Sequence, residues 1–184
     1  MIVWIDTETT GLDPKKDALL EIAVVITDDE LNIEHHITTL IAPKRRKLRR
    51  MDDFVSRMHT ESGLLNDLDT FPVFSIEEAE KHILAFLDLH GAGDRLLLAG
   101  NSVHFDRGFL DVHMPKLSAR FGHQHLDVTS VSHCVRRWNK KVYDDLKAAS
   151  GKVAHRAIDD ILSSINQLRW YRENAMISES ESAE

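Results

Sequence analysis

The sequence predicts an α/β or α+β class with its strands first. Three apolar, β-branched runs fill residues 2–41 with short connectors between them, which suggests an antiparallel meander, and the remainder of the chain is dominated by helix-period patterns. At 184 residues, 42% hydrophobic and 29% charged, the chain has the size and composition of a single core that can fold alone.

The first strand covers residues 2–5, and the second, residues 19–27 (LLEIAVVIT), is longer; Gly11 and Pro14 punctuate the turn between them. A third runs over residues 33–41 after the Asp28-Asp29 turn. Ser75-Ile-Glu-Glu78 fits a capping box, and Ile76, Ala79, Ile83, Phe86 and Leu87 then recur at helical spacing, so this helix stops near Gly91. Residues 96–99 form an apolar run of strand length, broken by Gly100-Asn101 before a helical stretch from Asp106 to just before Pro115. Asp106 is thereby placed beyond the carboxyl end of a strand. Residues 126–128 read as a short strand and 129–138 as a helix. Residues 154–174 form a long amphipathic helix with Ile158, Ile161, Leu162, Ile165 and Leu168 on one side.

Charge and composition exclude several classes. With 23 Lys plus Arg against 30 Asp plus Glu, the formal charge of -7 is not that of a cationic surface for long nucleic acid, so any nucleic-acid role must come from a local site. Residues 177–184 are acidic and nearly devoid of apolar side chains, the composition of a disordered tail beyond a single domain over 1–176. Cys134 is the only cysteine, which excludes an intramolecular disulfide and a multi-cysteine zinc site. No apolar run reaches membrane-spanning length, and the chain opens on a strand-like Met1-Ile-Val-Trp-Ile without a signal pattern; the cytoplasm is the simplest address, with no membrane partner.

The chemistry concentrates in acids. Asp6 and Glu8 are two apart at the end of the first strand, and the period of two sends both carboxylates to one face, where they call for a hard divalent cation. Taken alone, the pair is better explained by Asp6 capping the turn through Gly11 and Glu8 being solvated. Asn101-Ser-Val-His-Phe-Asp106 adds a third carboxylate, which could equally be a helix N-cap, and His155-Arg-Ala-Ile-Asp-Asp160 adds another with a histidine. Four carboxylates and one histidine suit two-metal phosphodiester cleavage, with His155 taking the proton of the attacking water. If His155 were already helical, Asp159 would lie about 40° and Asp160 about 140° around the axis, which favours Asp159.

Val3-Trp-Ile-Asp-Thr-Glu-Thr-Thr-Gly-Leu-Asp13, residues 101–106 and residues 155–160 resemble the three motifs of DEDD-superfamily exonucleases in the histidine-bearing branch. Met51-Asp-Asp-Phe54, Met58-His-Thr-Glu-Ser-Gly-Leu64, Leu126-Asp-Val-Thr129, Arg136-Arg-Trp138 and Trp170-Tyr-Arg172 are similar to the connecting segments of the oligoribonuclease family. The resemblance implies a ribonuclease H-like fold with a mixed five-stranded sheet flanked by helices, three strands antiparallel and then parallel ones. It implies two Mg²⁺ or Mn²⁺ ions per site, 3′-to-5′ release of 5′-mononucleotides from short single-stranded RNA down to dinucleotides, and a homodimer whose partner helps close each site. Carried over by position, Asp6, Glu8, Asp106 and Asp160 are metal ligands and His155 the general base. The motif thus favours Asp160 where periodicity favours Asp159, and Gly151 would let His155 enter from a loop.

Leu12 and His59 match positions that contact terminal bases in that family, and Ser102 and Thr129 match its 5′-phosphate pocket. The plainer readings are core for Leu12, a surface loop for His59, and turn and cap roles for the other two. Where the family carries Tyr-Arg, this chain has His123-Gln124; Gln cannot replace a guanidinium clamp on phosphate, while His123 could stack on a base. Thr7-Glu-Thr-Thr-Gly11 is similar to proofreading-type exonucleases as well, which leaves single-stranded DNA open as substrate, and a catalytically silent nucleic-acid-binding adaptor is the alternative of another class. Lys44 to Arg50 (KRRKLRR) holds six basic residues in seven, either a phosphate track or a solvated loop. Trp4, Trp138 and Trp170 read as core or interface aromatics.

Overall fold

The computed structural model describes residues 1–149 and 155–176. Five strands, β1 (Ile2–Thr9), β2 (Leu19–Thr27), β3 (Ile33–Leu40), β4 (Leu96–Gly100) and β5 (Phe121–Asp127), form one sheet in the order β3-β2-β1-β4-β5. β1 pairs antiparallel with β2 and β2 with β3, whereas β1/β4 and β4/β5 are parallel. The meander followed by parallel strands is the mixed sheet expected. The helices are α1 (Arg45–Leu48), α2 (Asp53–Glu61), α3 (Leu64–Thr70), α4 (Ile76–Leu89), α5 (Val103–His113), α6 (Pro115–Ser118), α7 (Val128–Trp138), α8 (Lys140–Ala149) and α9 (Ala157–Ala175). Among the described residues no helix is long and apolar enough to cross a membrane.

β1 and β2 are covered on both faces, which is why they read as continuous rather than alternating apolar runs. Val3, Ile5, Ile22 and Val24 pack with Ile83 of α4 and Phe109 and Leu110 of α5. Trp4, Ala23, Val25 and Ala99 pack with Ile161 and Ile165 of α9 on the other side. Trp4 is fully buried, and its indole N–H donates to Thr27 Oγ1 at 3.1 Å, satisfying the ring's one polar atom.

The departures from expectation have local causes. β1 runs to Thr9 because Thr7 and Glu8 keep their ladder partners Ile22 and Glu21, although their polarity reads as a turn. β5 starts at Phe121, five residues early, since the exposed His123-Gln124-His125 stretch lies on an edge strand whose polar character hides it; Val128 belongs to α7. α5 starts at Val103 after Ser102 takes a left-handed φ of 53°, so Asp106 stands inside the first turn and is not its N-cap. α9 starts at Ala157; Ala154, Gly151 and the tail 177–184 lie outside the described residues. Helices α1, α2, α3, α6 and α8 add to the elements expected from the sequence. The capping box of α4 forms as expected, and Gly91, at φ 71°, follows its end. Trp138 is 80% exposed and joins neither core cluster among the described residues.

The position of the strand ends rests on one close approach. A methyl group on Gly100 would stand 3.1 Å from the Ile5 carbonyl oxygen, so any larger residue here would push β4 and β1 apart by a few tenths of an ångström. Gly100→Ala is expected to cost about 1–3 kcal/mol in urea unfolding through overpacking, and to lower turnover more than a surface substitution of equal stability cost, because residues 101–106 follow directly.

Candidate active site

The carboxyl ends of the parallel strands β1, β4 and β5 meet at one edge of the sheet. Asp6 and Glu8 project from the end of β1 towards the face covered by α9, the side that Trp4 also faces. α9 delivers Asp160 to them. One carboxylate oxygen from each of Asp6, Glu8 and Asp160 lies within 4.8 Å of the other two. Asp159 is exposed, so the fold brings Asp160 and not Asp159 to the strand end. Angular reasoning fails here because His155, at φ 53°, precedes the helix by two residues and is not part of its spiral.

Asp106 reaches the same end from α5, on the opposite face. It is 4% exposed, and Thr7 donates its hydroxyl to Asp106 Oδ1 at 2.7 Å. The alternation of β1 thus serves both faces: Asp6 and Glu8 towards α9, Thr7 towards α5. Neither plainer expectation holds, since Glu8 is 6% exposed rather than solvated and Asp6 lies within the strand rather than at a turn.

Crowding of buried acids sets the electrostatics. Burial, reinforced by Asp160, Glu21 and Asp106, pushes the Glu8 carboxyl up to about 8. Burial raises Asp106 to about 7 against the opposing hydrogen bond from Thr7. Asp6 is raised well above the usual carboxylate range by burial and then by Asp106 and Asp160. Asp160 is raised by burial, with His155 acting in the opposite direction. The residues are all hard oxygen donors held at a separation where their charges repel, which fits a divalent cation of the Mg²⁺ or Mn²⁺ type.

The strongest polar contacts were not visible as function in the sequence. Glu21, fully buried in β2 opposite Glu8, accepts from Arg156 Nη2 at 2.7 Å and from Nε at 3.2 and 3.3 Å, and takes the Ala157 backbone N–H at 2.9 Å. Arg156 Nη1 also donates to Asp67 Oδ2 of α3 at 2.7 Å. This forked ion pair pins the start of α9, between His155 and Asp160, to the sheet. Its only sequence signal is a lone carboxylate in an otherwise apolar strand. Asn101 makes a second tie to α9: its Nδ2 donates to Ser164 Oγ at 2.8 Å, and Ser164 donates to the Asp160 carbonyl at 2.8 Å.

The remaining expected contacts divide. Leu12 is 81% exposed on the β1–β2 loop, so it is not core. His59 is neither on a loop nor at the surface: it is fully buried on α2, its Nε2–H donates to the Thr9 carbonyl at 2.8 Å, and Nδ1 lies 3.7 Å from Glu8 Oε2. Burial lowers its affinity for a proton, with His155 adding to the effect, and no ring face is open for stacking as placed. Ser102 and Thr129 come together, with Oγ 3.2 Å from Oγ1 and the Ser102 N–H donating to Thr129 Oγ1 at 3.0 Å. His123 is not brought to the carboxylates. It lies exposed on β5, four residues or about 13 Å of strand before Asp127, away from the strand's carboxyl end.

Comparison with known proteins agrees with this arrangement. The family model described as an exonuclease, RNase_T, matches residues 3–168. The oligoribonuclease of Leifsonia xyli subsp. xyli is 41% identical over 180 residues, 97% of this chain and 85% of that one. That of Marinobacter nauticus is 40% identical over 175 residues, 94% of each. The exonuclease I of Methylocaldum szegediense has the same fold, with a TM-score of 0.72 at 20% identity over 95% of this chain; the chain spans 40% of that longer protein. With a mixed sheet, a carboxylate cluster at its strand ends and relatives matched over nearly their whole length, the chain belongs to the exonuclease family and, within it, to the oligoribonucleases.

Proposed function

We propose that this protein is a 3′-5′ exoribonuclease that degrades short oligoribonucleotides, down to dinucleotides, to 5′-mononucleotides with two Mg²⁺ or Mn²⁺ ions. The observation that carries the reading is the convergence of Asp6, Glu8 and Asp160 beside Asp106 and His155. Bound divalent ions would polarise the scissile phosphate and activate water. Asp6, Glu8, Asp106 and Asp160 would hold them. His155, at a junction held by the neighbouring Arg156, takes the proton of the attacking water and is free of any helix geometry that would fix its ring elsewhere. Burial and the neighbouring acids hold the Glu8 carboxyl up to about 8 without a cation, and a bound cation would favour its ionised form. Exposed Leu12 packs on the base at the 3′ end, and the Ser102 and Thr129 hydroxyls offer donors to a phosphate.

Homodimerisation and a cytoplasmic address belong to the same reading. Trp138, exposed at the end of α7, supports a second copy as its cover, and the exposed free Cys134 suits a reducing compartment. His123 and Gln124, remote from their own chain's carboxylates, would then act only at the partner's site.

Three outcomes test the reading. Asp160→Asn is expected to reduce mononucleotide release from a labelled dinucleotide to background, and Asp159→Asn to leave it within about threefold; the reverse result would reassign the ligand. Because the folded chain holds carboxyl protons that the unfolded chain has released, metal-free protein loses stability as pH rises from about 6.5 to 8. Mg²⁺ or Mn²⁺ restores the stability, more at pH 8 than at 6.5. Melting temperatures in chelator and in metal check this, and a pH-independent difference counts against a protonated cluster. Below about 6.5 the depressed proton affinity of buried His59 bends the profile the other way. Finally, kcat/KM for a dinucleotide is expected to exceed that for single-stranded DNA; a preference for DNA would favour the proofreading-type reading, and binding without any mononucleotide release the adaptor.

A further inference from the structure

One side chain joins the Ser102 and Thr129 hydroxyls to the carboxylate site. Asn101, between the end of β4 and the start of α5, accepts the Thr129 hydroxyl on Oδ1 at 3.1 Å. Its Nδ2 donates to Ser164 Oγ at 2.8 Å and to Gln167 Oε1 at 3.1 Å, both on α9. The protons fix this orientation of the amide. Ser164 has a single hydroxyl proton and gives it to the Asp160 carbonyl at 2.8 Å, so towards Asn101 it can only accept. Gln167 donates from Nε2 to Tyr171 Oη at 3.3 Å, which leaves its oxygen for Asn101. The amide nitrogen of Asn101 must therefore face α9, and its oxygen the start of α7.

Both ends of this link are anchored. Asp127 Oδ1 accepts the backbone N–H of Ser102 at 3.2 Å and that of Thr129 at 2.8 Å, and the Ser102 N–H also meets Thr129 Oγ1 at 3.0 Å, so the two residues move as one. Ser102 does so at a left-handed φ of 53°, which L side chains rarely adopt. At the other end, a serine that bonds the carbonyl four residues back is ordinary in a helix. Here its oxygen is also gripped from outside the helix, and the carbonyl belongs to Asp160. α7 and α9 cover the same face of the sheet, since Val128 of α7 shares one core with Trp4 and with Ala157, Ile161 and Ile165 of α9. β4 lies between β1 and β5, so the two hydroxyls at the ends of β4 and β5 stand next to the β1 end that carries Asp6 and Glu8, with the planar amide spanning from one place to the other.

We propose that Asn101 is a positioning residue that couples phosphate recognition to the reaction: it holds the Ser102 and Thr129 hydroxyls and the Asp160 turn of α9 in one fixed relation, so that a 5′ phosphate seated on the hydroxyls sets the scissile bond of a dinucleotide in register with the carboxylates. The proposal rests on the exonuclease reading of the carboxylates and on the phosphate reading of the two hydroxyls. A rigid span between the group that is gripped and the group that reacts turns binding energy into orientation, which is read in kcat more than in KM. A dinucleotide has a single nucleoside between its 5′ phosphate and its scissile phosphate, so a slack span is passed on almost undamped. A fully satisfied polar network is what keeps such a span stiff.

The test measures kcat and KM separately for a 5′-phosphorylated and a 5′-hydroxyl dinucleotide in Mg²⁺. The native chain is expected to favour the phosphorylated one in both constants. Asn101→Ala is expected to bring the kcat ratio of the two substrates to within about twofold of one, while their KM ratio stays within about twofold of native. A general loss of packing lowers both kcat values together and leaves their ratio alone. Ser164→Ala frees the Asp160 carbonyl and one Asn101 donor without touching either hydroxyl, and is expected to lower the kcat ratio about threefold or more with the KM ratio unchanged, which keeps the test open should Asn101→Ala fail to fold. An unchanged kcat ratio in these folded variants overturns the proposal, and so does a loss confined to the KM ratio, which would make Asn101 a part of the phosphate pocket alone. Ser102→Ala is expected to lose the KM advantage. If it does not, or if the native chain ignores the 5′ phosphate, the phosphate reading fails and the coupling with it; if the native chain releases mononucleotide from neither substrate, the exonuclease reading itself is what fails, and the coupling falls with that.

Discussion

Repulsion between buried carboxylates at the end of β1 is the constraint around which the rest of the molecule is arranged. Asp6, Glu8, Asp106 and Asp160 come from three elements on two faces of the sheet, and each is taken out of water. Such a cluster opposes folding by itself, so the surrounding structure must hold it together. The two-sided apolar packing of β1, the close approach at Gly100, the Thr7 hydroxyl on Asp106 and the Glu21–Arg156 fork all act to that end. Glu21 is the instructive case: it adds another negative charge to the crowd, yet it also supplies the anchor that seats α9. Removing one partner of so buried a pair would leave an uncompensated charge beside the site.

Much of this was legible in the sequence because it rests on short periods and on spacing. The two-residue step from Asp6 to Glu8 placed both on one face, and the capping box at Ser75 and Glu78 marked α4 to the residue. The three motif segments named the residues that the fold gathers. What escaped has a common cause, namely contacts made at long range. Nothing local marks Glu21 as the partner of Arg156, 135 residues away, or tells that His59 folds inward against Thr9. The early start of β5 was hidden because an edge strand with an exposed face needs no apolar alternation. Periodicity pointed to Asp159, which the fold leaves outside the carboxylate cluster, because it assumed a helix at His155, where the backbone is left-handed.

The net charge of the chain also takes on a different sense once placed in space. Four of its negative charges converge on one site that calls for cations, and six of its positive charges are gathered on α1 and its flanks rather than spread over the surface.

The fork between Glu21 and Arg156 has a consequence for biosynthesis. The chain emerges from the ribosome amino end first, and the β1–β2–β3 meander is complete long before residue 156 is made. Until α9 docks, the sheet carries Asp6 and Glu8 without Asp160 or His155, and Glu21 waits without its cation. The nuclease is therefore assembled in its final step, by the closing of contacts between residues 135 and 136 positions apart. A chain halted early carries most of the fold and none of the cutting power, which keeps an unfinished RNA-degrading enzyme inert beside the RNA that is encoding it.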